Sequence, residues 1–270
     1  MKLQAALQII LLLLFFPDIH AQTGYFLPAE NYGGKQALKD LVALEMVYPE
    51  DARENKQQGT VIIKFTVNKN GKAEDVVIAE SVSESIDREA LRLFDHLLWT
   101  PARSKGTTVD QKMEIKFKFK LNKYRKFVKH RGYDQIEYPY RPVDKSLKVY
   151  RHRVLDSFPK PVYPNMDMDF SDFIIENLNY PGAAKKQGIQ GTVDMFFVVE
   201  PSGNATNFKV ENGVGAGCSE EALRLLQLLH WYPGIKDGKA VRTAMKLSIT
   251  FNLENSENMK YVPANNANQI

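Results

Sequence analysis

The chain has 270 residues, with 36 Lys and Arg against 32 Asp and Glu and a net charge of +4. Its apolar and charged fractions place it among globular proteins, and its length allows one or two domains. One cysteine, Cys218, excludes an intramolecular disulfide, so each domain must rest on its hydrophobic core.

At the N-terminus Lys2 precedes an apolar run from Leu7 to Phe16, followed by Pro17 and the small-residue site Ile19-His20-Ala21. This is the pattern of a cleavable secretory signal over residues 1–21. The run is shorter than the roughly 20 apolar residues of a membrane span. No cysteine follows it, so no lipoprotein anchor is indicated.

Beyond an irregular lead, Ala37, Leu38, Leu41, Val42 and Leu44 recur at helical spacing. That helix should stop before Tyr48-Pro49, because a residue preceding proline avoids the helical region. Val61, Ile63, Phe65 and Val67 alternate with polar or outward positions, the period of a half-buried strand. Asn68-Lys69-Asn70-Gly71 predicts a hairpin turn, with Val76 and Ile78 sharing a face of the return strand. A second helix is expected from an N-cap at Asp87, carrying Ala90, Leu93, Phe94 and Leu97 and ending at Trp99 and Pro101. The last strand sends Met113, Ile115, Phe117, Phe119 and Leu121 inward. Lys112, Glu114, Lys116, Lys118 and Lys120 point outward.

The whole pattern then recurs without a gap at an offset of 132 (180 − 48). Tyr48-Pro49, Gly59-Thr60-Val61, Gly71, Glu89-Ala90-Leu91-Arg92-Leu93, Trp99 and Phe119 return as Tyr180-Pro181, Gly191-Thr192-Val193, Gly203, Glu221-Ala222-Leu223-Arg224-Leu225, Trp231 and Phe251. Two copies of one small domain are implied, over 35–122 and 166–254. Helix, hairpin, helix and strand in that order predict an α+β fold: a three-stranded antiparallel sheet with two or more helices on one face. Having no later partner, the last strand of each copy is expected at a sheet edge. Residues 123–165 read as a basic, Tyr-rich linker without a counterpart in the repeat, holding one or two short strands and no helix. From Asn122 to Asn165 it has eleven Lys or Arg against four Asp or Glu. Residues 255–270 read as a flexible tail.

Chemistry-bearing clusters are not evident. His20, His96, His130, His152 and His230 share no repeat position and have no metal-ligand spacing. Cys218 takes the apolar place of Ile86, Ser219 the cap place of Asp87, and the pair Trp99 and Trp231 reads as core anchors. Asp167, Asp169 and Asp172 sit where a helix start needs caps. No catalytic residue, metal site or cofactor is expected, and an exported chain is not expected to bind nucleic acid.

The second copy resembles the C-terminal domain of the TonB family. The resemblance is carried by Tyr180, Pro181, Gly191, Trp231 and Pro233, then Gly238 and the closing Phe251-Asn252-Leu253. The first copy follows the same order. The resemblance implies a periplasmic location and a partner: the TonB box of an outer-membrane TonB-dependent receptor, paired as an added strand on a sheet edge. The implied edge in the second copy carries Ala244, Lys246, Ser248, Thr250 and Asn252. A second candidate edge carries Lys112, Glu114, Lys116, Lys118 and Lys120, although lysines on an edge also serve to block aggregation. An energy transducer of this family needs a membrane helix and a Pro-rich spacer. The short signal and basic connector instead favour a periplasmic binding protein. The alternative is a structural envelope protein whose domains pair or self-associate through their edge strands.

Overall fold

A computed structural model describes residues 25–165 and 167–253. The signal expected at 1–21 and the tail expected at 255–270 lie outside the described residues. In the first repeat two short strands, β1 (Phe26–Leu27) and β2 (Glu30–Asn31), precede helices α1 (Gly34–Glu45) and α2 (Glu50–Glu54). The hairpin β3 (Gly59–Val67) and β4 (Ala73–Glu80) is followed by helix α3 (Glu84–Asp95). Short strands β5 (Trp99–Thr100), β6 (Ala102–Ser104) and β7 (Thr107–Val109) lead to the long strand β8 (Gln111–Phe119). Between the repeats come helix α4 (Leu121–Arg131), strand β9 (Val149–Tyr150), a 3-10 turn at His152–Val154 and strand β10 (Lys160–Val162). The second repeat has helices α5 (Phe170–Asn177) and α6 (Gly182–Gln187), hairpin β11 (Gly191–Val199) and β12 (Ala205–Asn212), and helix α7 (Cys218–Gln227). It closes with β13 (His230–Tyr232), β14 (Gly234–Lys236) and β15 (Lys239–Phe251).

The first repeat has the expected three-stranded antiparallel sheet, ordered β4-β3-β8. Val61, Ile63, Phe65, Ile115, Phe117 and Phe119 point from its inner face onto Leu41, Ile86, Ala90, Leu93 and Phe94 of the helices. Trp99 lies against Phe65, ring centroids 4.7 Å apart. The second repeat uses the same plan, with Trp231 against Phe197 at 5.3 Å. Its sheet is larger than expected. β15 adds β14 beyond the order β12-β11-β15, and β9 also joins it, making five strands. The reason is that β15 runs 13 residues unbroken, whereas the first repeat interrupts the equivalent path at Asp110 between β7 and β8.

Several expectations from sequence need correction. The connector does contain a helix, α4, because Tyr124 is a core residue: buried, it packs on Tyr48 with centroids 5.4 Å apart. The connector's end also has a counterpart in the repeat. Asn31 pairs with Trp99 just as Pro161 pairs with Trp231, and Leu27 pairs with Arg103 as Ser157 bridges Ile235. Both pairs keep a spacing of 130 (161 − 31 and 157 − 27), two short of the main offset. Helix α3 is capped at Ser83 rather than Asp87, whose carboxylate instead receives the Val82 N–H at 3.0 Å. Helix α7 is capped at Gly217 rather than Ser219. A bulge at Asp75, with φ of 54°, swings Val76 outward to 37% exposure.

Candidate functional site

In each repeat a clasp fixes the entry to the sheet, and it is built from the duplicated motifs. Glu89 accepts the Val47 N–H at 2.7 Å and pairs with Arg92 at 2.7 Å, while Arg92 donates to the Glu45 carbonyl. In the second repeat Glu221 accepts the Asn179 N–H at 2.6 Å and pairs with Arg224 at 2.6 Å, and Arg224 donates to the Asn177 carbonyl. Tyr48 and Tyr180 donate to the carbonyls of Gln57 and Ile189 and set their rings edge-on to Phe119 and Phe251. Gln58 and Gln190 side chains accept the N–H groups of Leu121 and Leu253, just past the last strands. Pro181 opens the turn into α6, Gly191 begins β11 at φ 138°, and Trp231 and Pro233 are buried. The family residues therefore hold the sheet and its last strand in place.

On β15, Ala244, Lys246, Ser248 and Thr250 pair with Val198, Phe196, Asp194 and Thr192 of β11. Their side chains lie along the sheet face away from the helices and engage neighbouring strands. Ser248 donates to Asp194 at 2.6 Å, Thr250 meets Thr192 at 3.0 Å, and Lys246 pairs with Glu211 at 3.0 Å. Hydrogen bonds from Ser248 and Asn212 hold the Asp194 carboxyl below its usual range. Asn252 follows the strand's last residue.

The outer side of β15 is not uniformly open, contrary to the expectation of an edge strand. The connector covers Ala240 through a parallel bridge from Val143, and β9 covers Arg242 and Thr243, with Val149 opposite Arg242 and Tyr150 opposite Thr243 in parallel. Thr243 pairs with Val199 of β11 as well, which puts β9 on the side away from β11. From Ala244 to Phe251, among the described residues, β15 pairs with β11 alone. In the first repeat β8, among the described residues, pairs with β3 alone over its whole length. Lys112, Glu114, Lys116 and Lys118 are all exposed there, with Lys116 and Glu114 paired at 3.2 Å. Lys120, also exposed, follows the strand as the N-cap of α4, and Leu121, expected to end the strand facing inward, begins that helix.

The tip of the second hairpin is buried against the first repeat, and no motif in the sequence pointed to it. Arg242 and Glu200, 2% and 1% exposed, pair at 2.8 Å. Arg242 also donates to the carbonyls of His96 at 2.8 Å and Leu147 at 3.0 Å, joining both repeats and the connector. Asn207 accepts the Leu98 N–H at 2.8 Å and donates to the His96 carbonyl at 2.9 Å. Buried Glu45 accepts from Ser202 and Asn204, each at 2.8 Å. Burial opposes the charge of Glu200, but Arg242, His96 and the Thr206 hydroxyl hold its carboxyl below the usual range. The available signal was divergence within the repeat: Glu200 and Arg242 stand where the first copy has Asn68 and Asp110.

No three His, Cys, Asp or Glu side chains among the described residues are grouped to hold a metal. No helix among them is long and apolar enough to cross a membrane. Residues 45–121 and 176–253, more than half the chain, match the family model for the Gram-negative bacterial TonB protein C-terminal. The solution structure of the TonB C-terminal domain of Pseudomonas aeruginosa is similar at 23% identity, covering 39% of this chain and 94% of that one, with a TM-score of 0.28. No curated protein matches the chain. With two matched stretches falling on the two repeats, the chain belongs to the family of the TonB C-terminal domain and carries that domain twice.

Proposed function

We propose that the protein is a periplasmic TonB-like binding protein of TonB-dependent transport, and that it captures an extended segment of an outer-membrane receptor by strand addition. Family membership supports a role in protein interaction rather than catalysis. The observation that carries the edge reading is the stretch of β15 from Ala244 to Phe251, paired on one side only among the described residues. An unpaired edge offers N–H and C=O groups at the spacing an extended peptide needs. The clasp through Tyr180 and the Gln190 bond to Leu253 support that stretch from the core side. β8 offers a second edge whose lysines, if it is used, would favour an acidic segment.

Hydrogen exchange tests this on the purified protein with and without a synthetic TonB-box peptide. Slowed exchange from Ala244 to Phe251, or from Gln111 to Phe119, is the expected result. Unchanged exchange at both edges under saturating peptide removes the edge reading.

A further inference from the structure

We infer that the connector forms a fixed end wall to the peptide site of the second repeat, limiting the added strand to Ala244–Phe251 and selecting a segment with an acidic end. This rests on the edge-binding reading above. Along the outer side of β15 the connector covers Ala240 through Val143 and then Arg242 and Thr243 through β9, and the open stretch begins one residue after the Thr243–Tyr150 pair. At that boundary the connector leaves the sheet, turning at Arg151 into the 3-10 turn His152–Val154. A strand added from Ala244 onward therefore abuts the Tyr150–Arg151 peptide end to end.

The wall is anchored on several sides. Pro142 and Asp144 bond the backbone of Ala240 at 2.8 Å each. Arg242 reaches the Leu147 carbonyl from within the inter-repeat network. The Tyr150 hydroxyl donates to Asp144 at 3.1 Å, and Lys148 and Lys236 lie over its ring at 5.0 and 5.8 Å. Moving β9 would also disturb Arg242 and hence the buried Glu200, so the segment acts as a wall rather than a lid. The wall carries one carboxylate, Asp144, held by the Tyr150 hydroxyl, and two exposed cations, Lys148 and Arg151, within three residues of each other. Asp237 is already paired with Lys236. An Asp or Glu side chain at the segment's end meets those cations at either polarity, and a terminal carboxylate does so when the C-terminus faces the wall.

Two synthetic TonB-box peptides, one with Asp at both ends and one with Asn, test both parts. Peptide binding should slow exchange from Ala244 to Phe251 while leaving Val149, Tyr150, Arg242 and Thr243 unchanged. Faster exchange at Val149 and Tyr150 on binding would show displacement and overturn the wall, with edge binding intact. Arg151→Glu should weaken the Asp-ended peptide about five-fold, as an exposed ion pair allows, and leave the Asn-ended peptide unchanged. Equal effects on both peptides, or none, overturn the acidic-end preference. Because Arg151 is exposed, a fold defect is separable by the unchanged Asn-ended control. Absence of protection at Ala244–Phe251 with either peptide overturns the edge reading and the wall together.

Discussion

The two repeats share their clasp bond for bond but use their hairpins differently. In both, the return strand bulges at the same place, with Asp75 at φ 54° and Asn207 at φ 52°. In the first repeat the bulge faces solvent, and Asp75 receives the Thr66 hydroxyl at 3.2 Å. In the second it faces the first repeat, where Asn207 bonds Leu98 and His96. The residue after the bulge follows suit: Val76 is 37% exposed and Phe208 3%. The fold of the hairpin was kept, and polar substitutions at its tip turned an exposed end into an interface. Burying charge this way costs desolvation, which a complete set of partners must offset.

The largest expected effect follows from that interface. Arg242→Met leaves the Glu200 carboxylate buried without its cation and should cost about 3–5 kcal/mol in urea unfolding. The equivalent change in the first repeat, Asp110→Ala, removes an exposed acceptor of the Lys69 N–H and should cost about 1 kcal/mol or less. Similar costs for the two would erase the contrast. The wild type should also be acid-sensitive. Its Glu200 carboxyl is depressed in the folded state, so the stability it contributes is present above the ordinary value of 4.5 and is lost as pH falls through the folded value. The Met variant should lack that acid limb.

An intermediate effect is expected at a feature the repeats share. Gly71 and Gly203 sit in the hairpin turns at φ 76° and 87°. A Cβ at Gly71 would lie 2.6 Å from the Trp99 carbonyl oxygen, and one at Gly203 would press on that of Trp231. Either substitution to Ala should cost about 1–3 kcal/mol, from the left-handed backbone and the clash together. Gly203→Ala should be the worse of the two, because the His230 ring is also 3.2 Å from that Cβ and the turn is buried at the interface. Thermal unfolding of the pair measures the difference. A milder effect at Gly203 would mean the interface yields more readily than the exposed turn.

The sequence made the repeated parts legible for a physical reason. Alternation in β3, β8 and β11 reports burial of one face, and Gly71, Gly203, Trp99 and Trp231 report turns and anchors that only those residues fill. It missed what depends on contacts between distant segments. In sequence Tyr124 is one of many connector tyrosines; its packing against Tyr48 depends on a contact 76 positions away (124 − 48). The pairing of β10 with β13 was hidden because the upstream offset is shorter by two and its residues differ from those of β2. The alternation of β15 reports its buried face, but a strand's partner on its far side leaves no mark in its own periodicity. β9 was therefore invisible, as was the Glu200–Arg242 pair, whose members lie 42 residues apart.

The smallest expected effect concerns α4, which only the first repeat has among the described residues. Tyr124 donates to the Asp134 carboxylate, and Asp134 is paired with Arg53 at 2.7 Å. Burial and that hydrogen bond push the Tyr124 hydroxyl up to about 12 from 10.0. Tyr124→Phe keeps the ring packing and should lose about 1 kcal/mol at neutral pH, the worth of one hydrogen bond. The raised value gives the comparison a second arm. A group whose folded value is raised stabilises fully below its unfolded value and loses that contribution as pH rises through the folded one. Wild type should therefore lose stability between pH 10.0 and about 12 from this residue, and Tyr124→Phe should not. The two stability curves should cross inside that window. Curves that stay parallel through it would place the Tyr124 hydroxyl in solvent and α4 off the core.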